Sequence, residues 1–267
     1  MTGVADARGV PCLPGTTVSR RAMILAAGKG TRMGALSETR PKPLTPVAGR
    51  TLIDRALDKM AAAGLGPVIV NLHHLAGRME AHLRSRMDAG QVIVSDERDA
   101  LLDTGGGVCK ALPMIGQHPF FVILGDSLWE DGPVPALDRM AGVFRPDRMD
   151  GLLLLQPRDR AVGFDGAGDF SLSPDPLFAG QEVGTIAPRG TRATAAYAFA
   201  GVQILSPHLY DGAPAGPFSN WWAWNRALER GRLYGLVHEG DWMHVGTPEA
   251  IAAAEARLAV RAAGGRP

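Results

Sequence analysis

The chain has 267 residues, 46% of them hydrophobic, and its 28 Lys and Arg against 27 Asp and Glu leave a formal net charge of +1. That length and apolar content suit one compact enzyme domain. The near-neutral charge argues against a nucleic-acid binder, and apolar runs such as 120–124 and 151–155 fall far short of the ~20 residues that cross a bilayer.

Residues 1–20 are read as a disordered tail, with a single domain from 21 to 267. The tail lacks the apolar core and basic start of a secretory signal. Cys12 and Cys109 have neither metal spacing nor a disulfide framework, which implies a reducing, cytoplasmic setting. Residues 22–27 are an apolar run with no polar face, predicting a central strand covered on both sides. Gly28 and Gly30 then free the backbone to turn sharply and to present N–H groups to phosphate oxygens, with Lys29, Thr31 and Arg32 as further donors. Between residues 20 and 50 lie seven basic side chains and one acid, Glu38.

Two familiar phosphate motifs fail here. A P-loop needs GK followed by Ser or Thr, and the chain has none. The dinucleotide fingerprint needs a helix at the glycine turn and an acid ending the next strand. Pro41, Pro43 and Pro46 forbid a continuous helix, and the next strand runs into Asn71, Leu72, His73 and His74. What remains is a proline-stiffened arm that crosses over the phosphates and delivers Lys42 from the far side.

Downstream, Thr51 caps a helix whose Ile53, Ala56, Leu57 and Met60 share one face, closed by Gly64. Strands are predicted over 67–72, 91–95, 120–124 and 151–156, with helices over 75–87, 104–112 and 133–143 between them. That alternation predicts a doubly wound α/β fold with a mostly parallel sheet. From 163 to 205 glycine and proline become dense, predicting a small antiparallel insert that forms a lid or second half-site. A helix over 220–230, a strand over 233–239, the 242–245 segment and a helix over 248–261 close the chain. His73 and His74 are adjacent on a strand and face opposite sides, a polar strand end rather than a metal pair. Trp221, Trp222 and Trp224 either pack their helix or form a sugar-stacking wall.

The run LAAGKGTRMGALSETRPKPLTPVAG resembles the signature of the sugar-1-phosphate nucleotidyltransferases, LAxGxGTRLxPLTxxxPKPLxPVxG. TGGGVCKAL at 104–112, VILGDS at 122–127, YAFAG at 197–201 and WMHVGTPE at 242–249 follow in family order, so the resemblance covers roughly residues 21–261. It departs at residues 34–37 and at His244, which stands where the family's WxDxGT motif has a metal-binding aspartate. The resemblance implies a Rossmann-like fold, a nucleoside triphosphate and a sugar 1-phosphate as partners, and Mg²⁺ as cofactor; a monomer or small homo-oligomer is expected. Within the family, the compact chain, the TGGG turn, the GDF at 168–170 and the absence of an EKP motif look most like the members that join UTP to N-acetylmuramic acid 1-phosphate in peptidoglycan recycling. Mannose-1-phosphate guanylyltransferases are the alternative, and a noncatalytic nucleotide-sugar sensor is the alternative of another class.

The reaction needs no catalytic serine, cysteine or histidine, because a sugar 1-phosphate is already an anionic nucleophile near pH 7. It needs relief of repulsion between polyanions, in-line geometry and stabilisation of departing pyrophosphate. Arg32 is assigned to the β and γ phosphates, and Lys42 to the α phosphate and the incoming phosphate. Asp126 ends an apolar strand at its carboxyl end and suits Mg²⁺. With His244 as the other metal-site position, the expectation is either an ion held mainly by Asp126 and the phosphates or one with a raised preference for Mn²⁺ or Co²⁺, and Asp241, three residues away, points to the opposite face. The nucleotide is expected on Leu25, Ala26, Ala27, Gly28, Gly30 and Thr31, and on the open helix start at Thr104 and Gly105. By resemblance, Glu97 contacts the base, and Asp169, Phe199, Ala200 and Gly201 contact the sugar.

Overall fold

A computed structural model describes Asp6 and residues 9–34 and 36–264, and the side chains of Arg32 and Leu36 lie outside what it describes. The chain begins with β1 (Ala22–Leu25), α1 (Leu36–Thr39), the short hairpin β2 (Pro46–Val47) and β3 (Arg50–Thr51), and α2 (Leu52–Ala62). It continues through β4 (Val68–Leu72), α3 (Ala76–Asp88), β5 (Val92–Asp96), α4 (Asp103–Ile115), β6 (Phe120–Leu124), β7 (Leu128–Glu130), α5 (Ala136–Val143) and β8 (Gly151–Pro157). Three strands come next, β9 (Phe170–Pro174), β10 (Val183–Pro188) and β11 (Tyr197–Leu205). The last elements are α6 (Trp221–Glu229), β12 (Leu233–Val237), β13 (Asp241–Met243) and α7 (Pro248–Ala262).

Nine strands form one twisted sheet in the order β5-β4-β1-β6-β11-β8-β12-β10-β9. The ladders make β11 and β10 run against the other seven, so the sheet is mixed and mostly parallel. Alternation of side chains along each strand splits the interior into two layers. Ile24, Val70, Phe121, Ile123 and Leu152 face α2, α3 and α5. Met23, Ile69, Phe120, Val122 and Leu153 face α4 and α6. A third, smaller core of Val47, Leu52, Leu128, Met243, Val245 and Ala254 lies under α7.

The predicted helix starts and periods are found where propensity and tertiary packing agree. Thr51 caps α2 by accepting a hydrogen bond from the Asp54 N–H, and Ile53, Ala56, Leu57 and Met60 are all buried. The antiparallel insert is present, but it is built into the main sheet rather than set above it. β11 lies at the centre, between β6 and β8, because residues 200–205 are buried on both faces and need cover on each side.

The tail departs from expectation. Residues 1–5, 7 and 8 lie outside the described residues, but from residue 9 the segment packs on the body. Val10, Cys12, Leu13 and Val18 are buried, and a bridge joins Cys12 to Ser19. Ser19 N–H donates to Pro119 O at 2.7 Å, and Asp6 Oδ2 accepts from Gln117 N–H at 2.8 Å. Enough apolar side chains are spread through this glycine- and proline-containing stretch to offset the entropy of ordering it.

Candidate active site

The sheet changes its winding direction between β1 and β6: chain order runs from β1 to β4 and β5 on one side and to β6 on the other. At such a switch point the loops diverge beyond the carboxyl ends of the strands and leave a crevice. A cavity of about 370 Å³ opens there, lined by Leu25, Ala26, Ala27, Gly28, Gly30, Thr31, Lys42, Pro43, Asn71, Leu101, Asp103, Thr104, Leu124 and Asp126. A second cavity of about 180 Å³ adjoins it, lined by residues that include Asp126, Ser127, Phe164, Asp169, Phe199, Gly201, Trp242 and His244. Leu124 and Asp126 belong to both, so the carboxylate stands where the two clefts meet.

Lys42 reaches that junction as the arm predicts. Pro41 is extended, residues 42–44 make one tight 3-10 turn, and Lys42 is 9% exposed. Its Nζ donates to Asp126 Oδ2 at 2.5 Å, while the Asp126 side chain keeps 34% exposure toward the clefts. Gly125 N–H donates to Leu25 O at 2.8 Å, fixing the turn that carries Asp126 against the end of β1. Arg32 lies on the one-turn helix Thr31–Met33 beside the cleft, and its side chain lies outside the described residues. Much of the basic excess around the arm is structural. Arg20 binds Gly64 O, Arg21 binds Met114 O and Arg50 pairs with Asp58.

All six expected residues of the glycine turn, together with Thr104, line the first cleft. Two other expected contacts are turned elsewhere. Glu97 is 1% exposed and lies behind the cleft wall, where its carboxylate accepts from Asn71 Nδ2 at 2.8 Å and from Leu102 N–H at 3.3 Å. The N–H groups of Gly105 and Gly106 are committed to Phe218 O at 2.8 and 3.0 Å. A side chain at Gly105 would meet the Phe218 ring at 2.6 Å, so this glycine serves the docking of the 216–220 segment rather than the approach of a ligand. Thr104 shares in that docking by accepting from Asn220 N–H at 2.9 Å. Asn71, Leu101 and Asp103 also line the cleft. The signal for Asn71 was a lone carboxamide in the otherwise apolar strand VIVNL.

In the second cleft Asp169, Phe199 and Gly201 are brought together, whereas Ala200 is fully buried in the core because its strand neighbours point the other way. Asp169 Oδ2 accepts from Phe199 N–H at 2.8 Å. β11 is bulged between Phe199 and Gln203, and Gly201 sits in the bulge at φ 79°, where a Cβ would lie 1.8 Å from Ser127 Oγ. Phe164 packs edge-on to Trp242 at 5.5 Å and to His244 at 5.8 Å, forming an aromatic wall. None of the α6 tryptophans lines either cleft: Trp221 is exposed, while Trp224 supports Phe199 edge-on at 5.1 Å and donates from Nε1 to Gln203 Oε1 at 2.8 Å.

His244 lines the second cleft with Asp126, and Asp241 is directed away. Burial alone would raise the Asp241 carboxyl, but hydrogen bonds from Arg257 and Arg261, at 2.7 to 3.0 Å, outweigh it and hold the group below the usual carboxylate range. His73 and His74 bind separate backbone carbonyls, Glu97 O and Ser37 O, as suits a polar strand end. No helix among the described residues is long and apolar enough to cross a membrane.

A family model described as a MobA-like NTP transferase domain matches residues 22–154. Over 241 residues the chain is 44% identical to the N-acetylmuramate alpha-1-phosphate uridylyltransferase of Caulobacter vibrioides, covering 89% of this chain and 96% of that protein. The protein of the same name from Neisseria meningitidis serogroup B is 34% identical over 229 residues, covering 85% and 93%. Among solved structures, a UDP-glucose pyrophosphorylase complexed with UDP-glucose shares the fold with a TM-score of 0.69 at 17% identity, covering 90% of this chain and 98% of that one. A UTP-bound UGPase from Acinetobacter baumannii gives 0.68 at 18% identity, covering 90% and 93%. The chain belongs to the sugar-1-phosphate nucleotidyltransferase family, enzymes that act on a nucleoside triphosphate and a sugar 1-phosphate.

Proposed function

We propose that this chain transfers the uridylyl group of UTP to N-acetylmuramic acid 1-phosphate, giving the UDP-sugar and pyrophosphate, as a cytoplasmic step of peptidoglycan recycling. The observation that carries the reaction type is the meeting of two clefts at one lysine–carboxylate pair. A larger cleft on the glycine turn suits the nucleotide, and a smaller, aromatic-walled one suits the sugar. The choice of substrates is supported by the two relatives that carry that name across nearly their whole length.

The sugar phosphate enters as an anion, so the protein's task is electrostatic and geometric. Lys42, which lines the first cleft, is proposed to screen the incoming phosphate from the α phosphate, and backbone N–H groups of residues 26–31 suit the phosphate chain. Arg32 is proposed for the β and γ phosphates, where charge builds on the leaving group. Asp169, Phe199 and Gly201 form the floor on which the sugar would be oriented.

The donor set fits a divalent cation shared with the substrate. Among the described residues no three or more His, Cys, Asp or Glu side chains are grouped to hold an ion by themselves. One partly exposed carboxylate, Asp126, faces both clefts. Mg²⁺ is commonly held in that way, by one or two carboxylates plus phosphates. The imidazole of His244 in the same cleft favours Mn²⁺ or Co²⁺ as well. Such an ion, when bound, neutralises phosphate charge.

Pyrophosphate release tests the reading, with UTP, GTP, dTTP and CTP each crossed with a panel of sugar 1-phosphates. UTP with N-acetylmuramic acid 1-phosphate is expected to be fastest. Preference for GTP with mannose 1-phosphate overturns the substrate assignment, and tight nucleotide binding without release from any pair points to a sensor instead.

A further inference from the structure

Behind the first cleft a hydrogen-bonded series leads from the interior to the glycine turn. Ala26 N–H donates to Asn71 Oδ1 at 2.6 Å, Asn71 Nδ2 donates to Glu97 Oε1 at 2.8 Å, and Leu102 N–H donates to Glu97 Oε2 at 3.3 Å. Ala26 opens the turn, Asn71 is near the end of β4, Glu97 follows β5, and Leu102 precedes the helix start at α4. Four segments around the cleft are thus held by two side chains, which are 2% and 1% exposed.

Chemistry fixes the direction of this series. Only the oxygen of the Asn71 amide can meet the Ala26 N–H, so its nitrogen must face residue 97, where only an acceptor can stand. With so little solvent to absorb a mismatch, a reversed group leaves a donor against a donor or a carboxylate against a carboxylate.

We propose that Asn71 and Glu97 are positioning residues for the nucleotide: Glu97 sets the Asn71 amide, and Asn71 sets the Ala26 N–H and the turn behind it. In this chain Glu97 acts through Asn71 and does not read the base. The inference rests on the first cleft being the nucleotide site, and its test needs binding rather than turnover.

The test is a reversal of polarity. Asn71→Asp alone faces two carboxylates across 2.8 Å, and Glu97→Gln alone turns an NH₂ group toward the Asn71 or Leu102 donor. Combined, the two substitutions restore every bond. The carboxylate at position 71 accepts from Ala26 and from the amide at position 97, whose oxygen accepts from Leu102. Calorimetric titration with UTP in the absence of sugar phosphate, and amide hydrogen exchange at Ala26, read the series independently of catalysis. Asn71→Asp is expected to raise the Kd for UTP at least about tenfold and to speed Ala26 exchange, and the doubly substituted chain to recover both.

Three results overturn the proposal. One is a double variant no better than the worse single. Another is Ala26 protection regained without UTP affinity, which would mean that one of these side chains touches the nucleotide. The third is a Glu97→Gln variant that exchanges UTP for GTP preference, which would make Glu97 a base reader. Should the natural chain bind UTP yet release no pyrophosphate, the proposed reaction fails while this inference stands.

Discussion

Replacing Lys42 by methionine removes one charge from the junction of the clefts while keeping most of the side chain's length. The pair is separated by 2.5 Å, with Lys42 9% and Asp126 34% exposed. At an effective dielectric of about 20 the gross attraction is about 6 to 7 kcal/mol, most of it offset by the cost of desolvating the two ions. Asp126 can rehydrate when its partner is lost, so the net stability loss is expected to be about 1 to 2 kcal/mol. For a chain of this size that lowers the midpoint of thermal unfolding by roughly 2 to 4 °C. Catalysis is expected to lose far more. Removing a fixed cation aimed at developing phosphate charge should lower kcat/KM by about 10²- to 10³-fold. The check is pyrophosphate release at saturating metal, set beside thermal unfolding of the same preparation. Unchanged turnover in a folded Lys42→Met variant would refute the reasoning, as would a midpoint shift large enough to account for all the lost activity.

Gly201→Ala would place a Cβ 1.8 Å from Ser127 Oγ at a φ of 79°, so a stability loss of about 2 to 3 kcal/mol and a raised KM for the sugar phosphate are expected, while the KM for UTP holds. Steady-state kinetics with each substrate varied in turn would reveal the split, and equal changes in both KM values would count against a separate sugar cleft. His244→Asp should raise activity with Mg²⁺ relative to Mn²⁺ and Co²⁺; identical metal titrations in the two chains would end the idea that His244 tunes the ion. Asp150 supplies a pH dependence away from the site. Burial pushes its carboxyl up, but Arg232 at 2.7 Å and His208 at 3.3 Å outweigh that and hold it below the usual range. A depressed folded pKa stabilises above the unfolded value of about 3.9 and is lost as pH falls through the folded value. Denaturant titrations should therefore show Asp150→Asn about 2 kcal/mol less stable at pH 6, with the gap closing as pH falls below the usual carboxylate range. A gap that persists in acid would contradict the assignment.

Elements governed by local pattern were legible from residues alone: the Thr51 cap, the face of Ile53, Ala56, Leu57 and Met60, and the apolar strand 120–124 all depend on near neighbours. The glycine turn and the proline-braced Lys42 were legible for the same reason, since glycine and proline restrict the backbone wherever they stand. What failed was direction. Glu97 and Gly105 look like ligand contacts because a carboxylate at a strand end and a glycine at a helix start are chemically suited to it. Whether they face the cleft depends on Asn71 and Phe218, which come from distant segments. Ala200 was misplaced for a simpler reason: one step along a strand changes faces. The central place of β11 depends on pairings with β6 and β8, about 80 and 50 residues earlier in the chain, which no local window contains.

A crystal of the chain grown with a nonhydrolysable UTP analogue and N-acetylmuramic acid 1-phosphate would test the central claim most directly. The distances to measure are those from Lys42 Nζ and the Asp126 carboxylate to the α phosphorus and to the sugar phosphate. The two phosphates should meet at the junction of the clefts, with Lys42 Nζ within about 3 Å of an oxygen on each. Phosphates bound elsewhere, or a Lys42 still locked to Asp126 with neither phosphate in reach, would contradict the account.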